Sequence, residues 1–390
     1  MQHQRKFGPL SNEKEAENLG LMLCHSFNFT GWELFRDRIG IKNYRAIWQG
    51  NQIIGGLGLY PMAQWWGGNP VTMAGIAAVG VSPEHRGTGV AEELLRHTLQ
   101  EIYKNQIPLS VLYPATQVLY RKVGYEQAGS LCKWQLPIQS IQMRDRTLTM
   151  HPVEPILSET IAALYQQQAV TCNGNLDRHP GIWENIFKPI PEEPLYADLI
   201  GEPDDWQGYI IYSQRREGNS QTLAIADWVA LTPGAIRRLW TFIADFRSQF
   251  ANVIWRSSPI DPFLLTLPEQ TGQITEFSHW MLRIIDVPLS LQQRGYPLGI
   301  EAELHIEVQD NILSENNGKF ILTVSNGKGE VTPGGRGDLS LDVRGLTLLY
   351  TGFLTPHQLH LSGHIQGNPS ALSIATQLFS GPHPWMADMF

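Results

Sequence analysis

Between Arg86 and Ala91 the chain reads Arg-Gly-Thr-Gly-Val-Ala, set between an apolar run and a helix-like pattern. Small residues at such a turn let backbone N–H groups approach a ligand, and the start of a helix adds positive potential. That combination suits an anion. A P-loop would need Gly-Lys-Ser/Thr after its second glycine, where Val90 stands instead. A dinucleotide fingerprint would need a small residue at Glu92 and an acid roughly 20 residues on, but Ile107 to Val111 offers none.

The elements that must position this turn are legible on both sides of it. Ala91, Leu94, Leu95, Leu99 and Ile102 recur at the spacing of one buried helical face, with Glu92 and Glu93 in the first turn. Ala74 to Ser82 is apolar on both parities, which predicts a strand buried on both faces and ended by Pro83. Upstream, IWQGNQIIGGLGLYPMAQWW reads as a hairpin turned at Gly50-Asn51. Downstream, Leu112 to Gly129 reads as a strand, a short helix and a further strand.

At 390 residues the chain has room for two or three domains. Pro152 and Pro155 follow a polar connection and mark a boundary, giving a first unit over 1–140. Residues 141–285 echo it faintly. Ala226 to Pro233 and the helix pattern IRRLWTFIADF repeat the strand, Ser/Thr-Pro stop and helix around Pro83, with the two prolines 150 residues apart. The second copy keeps Gly234 but no Arg-x-x-Gly-x-Ala, so it is expected to fold alike without cradling a phosphate. Beyond LRIIDVPLSLQQRGYP, read as a connection, residues 286–390 alternate strand-like runs with two helical patterns, a small α+β domain.

A net charge of −8 argues against a nucleic-acid partner and suits a small cationic substrate. Cys24, Cys132 and Cys172 show no zinc-ligand spacing, so no metal is expected. MQHQRKFGPL lacks an apolar leader core and no run of 18 apolar residues occurs, which predicts a cytoplasmic protein without a membrane partner.

The loop Arg-x-x-Gly-x-Ala, residues 86–91, resembles the pyrophosphate loop of the GNAT (Gcn5-related) acetyltransferases, and LYPATQVLYRKVGYEQAG resembles the end of a GNAT core. The order of units, the RIIDVP junction and the terminal PWMADMF narrow the likeness to the Eis (enhanced intracellular survival) N-acetyltransferases. The resemblance spans essentially the whole chain. It implies a mixed α/β and α+β fold: tandem GNAT folds, the first active and the central one degenerate, then a C-terminal sterol-carrier-protein-like domain. It implies acetyl-CoA as cosubstrate, no metal, and transfer to primary amines of small polycations (aminoglycoside-like or polyamine) or to lysine side chains, by direct attack through a tetrahedral intermediate.

Residue by residue, the resemblance assigns backbone groups of Val79, Gly80 and Val81 to the pantetheine arm, with Gly80 at a strand bulge. Arg86, Gly87, Thr88, Gly89, Val90, Ala91 and Glu92 would face the pyrophosphate, with Ala115 and Thr116 a further contact. The family's loop is often richer in arginine than this one. Tyr120 takes the role of general acid and the terminal carboxylate of Phe390 that of base; beside these, the Val81 N–H is the candidate oxyanion donor. The apolar tail around Trp385 and Met389 favours burial, and Asp388 is expected by position to attract a cationic substrate. The family also implies a homo-oligomer, a trimer or hexamer. The alternative is a non-catalytic acyl-CoA- or lipid-binding protein.

Overall fold

The computed structural model describes residues 5–189, 193–217 and 220–390. The first unit comprises β1 (Arg5–Pro9), α1 (Glu13–Phe27), α2 (Trp32–Ile39), β2 (Tyr44–Gln49), β3 (Gln52–Trp66), β4 (Asn69–Val81), α3 (Val90–Lys104), β5 (Leu109–Leu112), α4 (Gln117–Lys122) and β6 (Glu126–Pro137). α1 starts where the Asn12 side chain accepts the Glu15 N–H and stops where Asn28 turns left-handed. The β2–β3 hairpin turns through Gly50 at φ 62°, as expected. α3 buries Val90, Leu94, Leu95, Leu99 and Ile102. The expected Ala91 lies at the margin, because Val90, one turn before Leu94, takes the central place.

Strand alternation divides the core into two layers. Met73 and Ala77 of β4 face α1 with Leu19 and Leu23, whereas Ala74 and Ile76 face α3 with Leu94 and Leu95. Both faces are covered, which is why the run reads apolar on both parities.

The second unit comprises β7 (Met150–Val153), α5 (Glu159–Ala169), β8 (Leu176–Asp177), α6 (Pro180–Phe187), β9 (Leu195–Glu202), β10 (Asp205–Glu217), β11 (Ser220–Ala230), α7 (Pro233–Asp245), β12 (Asn252–Ser257) and β13 (Gln273–Ile284). β11 and α7 realise the predicted echo of β4 and α3. The units are joined more intimately than the sequence suggests. In the common sheet the strands run β1-β2-β3-β4-β5-β13-β6-β12-β11-β10-β9-β7, with β8 pairing β3. β13 inserts between β5 and β6, and β6 in turn pairs β12. Each unit therefore completes its sheet with the last strand of the other.

The third unit begins at once with α8 (Val287–Gln293), capped by Asp286, so the segment read as a connection is in fact the end of β13 followed by a helix. It continues with β14 (Ala302–Gln309), β15 (Gly318–Ser325), β16 (Lys328–Pro333), β17 (Leu339–Asp342), α9 (Val343–Thr351), α10 (Pro356–Leu361), β18 (Ile365–Gly367) and α11 (Pro369–Leu378). Its five strands are ordered β16-β15-β14-β17-β18. Two ion pairs dock it on the sheet. Arg283 of β13 donates both ways to Asp310 at 2.8 Å, both side chains fully buried, and Arg344 of α9 pairs with Glu126 of β6. Among the described residues no helix is long and apolar enough to cross a membrane.

Candidate active site

β4 and β5 pair in parallel only from Met73–Leu109 to Ile76–Leu112, after which they part. The opening begins beside a bulge in β4, where the register against β3 jumps from Gly58–Ala77 to Gly56–Gly80. The bulged residues are Ala78, held at φ 51°, and Val79, not Gly80 as expected. Gly80 is small for another reason: a Cβ there would stand 2.5 Å from Leu23 of α1. Ser82 N–H donates to Ile54 at 3.0 Å, so alternation turns the Val81 N–H away from β3 and toward the opening.

At the mouth of the opening Gly87 and Gly89 adopt φ 76° and 84°, and a Cβ on either would meet nothing. Gly89 is the N-cap of α3 and supplies no side-chain acceptor, so the first-turn N–H groups of this 15-residue helix stay available. Arg86 and Thr88 are exposed beside them, and Arg86 Nε reaches Val81 O at 3.4 Å. The two acids of the first turn are neutralised, Glu92 by Arg96 at 2.9 Å and Glu93 by Arg5 at 2.7 Å. Arg5 also lies 3.3 Å from Thr88 Oγ1. β1 thus brings to the loop a cation that local sequence reading missed. Ala115 and Thr116 are exposed where β5 leads into α4, with Thr116 at the N-cap.

Tyr120 of α4 is packed in the layer beneath α3, 5 % exposed, its ring 6.0 Å from that of Tyr125. Burial pushes its hydroxyl up to about 12. Tyr125, by contrast, is committed to Ser110, hydroxyl to hydroxyl at 2.6 Å. Phe390 reaches the other layer. Its ring packs against Tyr60 at 5.9 Å and Tyr113 at 6.1 Å, and its edge fills the space that a side chain on Gly75 would take. Gly75 directly precedes Ile76, the last residue at which β4 is paired to β5, so the terminal residue lies at the base of the opening.

The tail is threaded rather than frayed. Ser130 of β6 donates to Pro384 O at 3.0 Å and accepts from Met386 N–H at 3.2 Å. Trp385 N–H donates to Asn173 O at 3.0 Å, Asn175 Nδ2 to Trp385 O at 3.0 Å, and Tyr113 OH to Met386 O at 3.2 Å. Met386 is fully buried. Asp388 is not the free anion the sequence suggested: it is buried and paired with Arg178 at 3.0 Å. Tyr60, Tyr113 and Arg178 lie far apart in sequence and carried no local signal.

On the second unit's side the tail borders a cavity of about 360 Å³, lined by Ala224 to Ala226 of β11, Ile254 to Arg256 of β12, and Ala387 to Met389. Among its charged groups, Lys133 pairs with Glu276 at 2.8 Å and Arg215 with Glu193 at 2.9 Å.

A parted β4–β5 pair, a glycine turn into an uncapped helix and a buried tyrosine on the following short helix define a GNAT domain. Comparison with known proteins agrees. Residues 14–128 and 174–284 match acetyltransferase (GNAT) domain models, and residues 287–387 match a sterol carrier protein domain. A solved GCN5-related N-acetyltransferase from Anabaena variabilis is 50 % identical, with TM-score 0.97 over 99 % of this chain and all of that one. An uncharacterized N-acetyltransferase from Streptomyces avermitilis is 26 % identical over 88 % of both chains. Eis1 from Mycobacterium abscessus, 24 % identical, superposes with TM-score 0.82 over 99 % of this chain and 100 % of its own. The chain belongs to the GCN5-related N-acetyltransferases, and its two GNAT folds followed by a sterol-carrier fold are arranged as in Eis. It is an N-acetyltransferase.

Proposed function

We propose that the chain transfers an acetyl group from acetyl-CoA to primary amines of small polycations, aminoglycoside-like or polyamine, or to lysine side chains. The observation that carries this reading is the C-terminal residue, half-buried and packed at the base of the β4–β5 opening. The residues present suit the cosubstrate: a strand edge at Val79 to Val81 that is not paired to β5, open space over Gly87 and Gly89, and unfilled N–H donors at the start of α3. Arg86 to Glu92, with Arg5 beside them, would hold the pyrophosphate, and Ala115 and Thr116 would make a further contact. Acetyl-CoA supplies the acetyl group as an activated thioester.

The chain's own groups then divide the work. The Val81 N–H stabilises negative charge on the carbonyl oxygen, and Tyr120 holds a proton for the departing thiolate. The Phe390 carboxylate takes the proton released by the amine. A terminal carboxylate has an ordinary pKa of about 3.3 to 3.7, so this role depends on close placement and exclusion of water. The cavity beside the tail is the proposed entry for the acceptor. We also propose a homo-oligomer, trimer or hexamer, which light scattering tests directly.

The decisive experiment measures CoA release across polyamines, an aminoglycoside and a lysine peptide, for the native chain and for one with a glycine added after Phe390. Turnover that collapses on extension supports the reading. Full activity in the extended chain removes the terminal carboxylate from the mechanism.

A further inference from the structure

The second unit keeps the features with which a GNAT fold opens its sheet, yet it has closed the ones that take a phosphate. β11 and β12 pair in parallel only from Thr222–Asn252 to Ala224–Ile254 and then part, as β4 and β5 do. A bulge again marks the place, where the partner of Ile211 is Asp227, the partner of Tyr212 is Ile225, and Ala226 is left over. The helix that follows differs. Thr232 caps α7 with its own side chain, accepting the Ala235 N–H at 3.1 Å, so this helix start is occupied where that of α3 is free.

What stands at the second opening is the chain's own C-terminal tail. Asp227, the first residue after the bulge, accepts from Arg178 at 2.6 Å and from the Tyr209 hydroxyl at 2.7 Å. The Arg178 side chain is 2 % exposed, with its guanidinium 3.7 Å from the Tyr165 ring centre and 4.5 Å from that of Trp183. Two aromatic faces and a carboxylate fix its orientation before the tail is considered. Its remaining edge meets Asp388, Nε to Oδ2 and Nη2 to Oδ1, both at 3.0 Å. A guanidinium buried this deeply is stable only when paired, and Asp388 supplies its second carboxylate.

We propose that the degenerate GNAT unit is a socket for the C-terminus, in which Arg178, oriented by Asp227, Tyr165 and Trp183, binds Asp388 and so positions the Phe390 carboxylate at the first unit's opening. Asp388 and Arg178 are positioning residues, acting through a chain end only two residues away. The backbone bonds at Pro384 to Met386 hold the tail as far as Met386. Beyond them the Asp388 pair and the packing of the Phe390 ring set where the carboxylate falls. This proposal rests on the terminal carboxylate being the base.

The test compares Asp388→Ala and Asp388→Asn with the native chain and with the glycine-extended chain. Asp388→Ala leaves Arg178 bound to Asp227, so the second unit keeps its internal pair. The expected result is a fall in kcat of at least tenfold with the KM for acetyl-CoA within about twofold. Amide hydrogen exchange should rise at Ala387 to Phe390 and stay unchanged in β11 and α6. Asp388→Asn, which can still accept a bond from Arg178, should fall between the alanine variant and the native chain. Unchanged kcat with an unchanged tail overturns the socket, as does lost kcat with an unmoved tail. A loosened tail with full activity, or full activity after the glycine extension, instead overturns the terminal base on which the proposal rests.

Discussion

Tyr120 is the residue whose environment makes the sharpest demand. Burial holds its hydroxyl at about 12, above the ordinary phenol value, so the protonated form persists across the neutral range. The proton-donating form is present below that pKa and is lost only as pH rises through about 12. Tyr120→Phe should therefore lower kcat by about 10²-fold or more, the usual size of one acid–base contribution, while acetyl-CoA binding is retained. The kcat profile between pH 6 and 10 should carry no limb due to Tyr120. A limb near pH 9 that vanishes in Tyr120→Phe would count against the raised pKa, and an unchanged kcat in Tyr120→Phe against the role of acid. Steady-state kinetics on the two proteins settles both points.

At the scale of the elements, the first unit depends on a strand that stops pairing and a helix that starts without a cap. Gly89→Ala places a Cβ in open space but forces φ 84° on an L-residue, at a cost of about 1–2 kcal/mol. The turn should relax and the first-turn N–H groups lose their alignment. The expected outcome is an acetyl-CoA KM raised several-fold with a smaller change in kcat. Gly80→Val acts differently, because its side chain collides with Leu23 of α1. Overpacking there costs about 1–3 kcal/mol and should lower the melting temperature measurably. Gly89→Ala should move that temperature less, so the two glycines separate binding from packing.

In the whole molecule, three units meet at Ser130. Its hydroxyl lies 3.1 Å from His383 Nε2 and 3.5 Å from His279 Nδ1, and the Phe353 ring of the third unit stands against both imidazoles. Burial lowers the pKa of each histidine, and His279 lowers His383 further. A histidine depressed in the folded state favours folding above its unfolded value of about 6.5, and that stability is lost as pH falls toward the folded pKa. The melting temperature should thus drop between pH 7 and 5, and His383→Gln should flatten part of that drop. Because His383 begins the tail that ends at Phe390, acetyl transfer should weaken over the same interval.

The sequence alone determined what is local. The Arg-x-x-Gly-x-Ala turn, the apolar strand before it and the periodic helix after it are contiguous, so short-range patterns specify them. The echo around Pro233 was legible for the same reason, as was the apolar tail that resists dangling in water. Tertiary structure alone decided which strand lies beside which: β13 pairs β5 across more than 160 residues, and hydrophobic pattern does not name a partner at that distance. It also decided where charges end up. Asp388 looked like a free anion until folding brought Arg178 to it, and Glu92 and Glu93 became harmless to a phosphate once Arg96 and Arg5 met them. Side-chain type is written in the chain, but whether a charge is spent on a partner or left for a ligand depends on neighbours that only the folded molecule assembles.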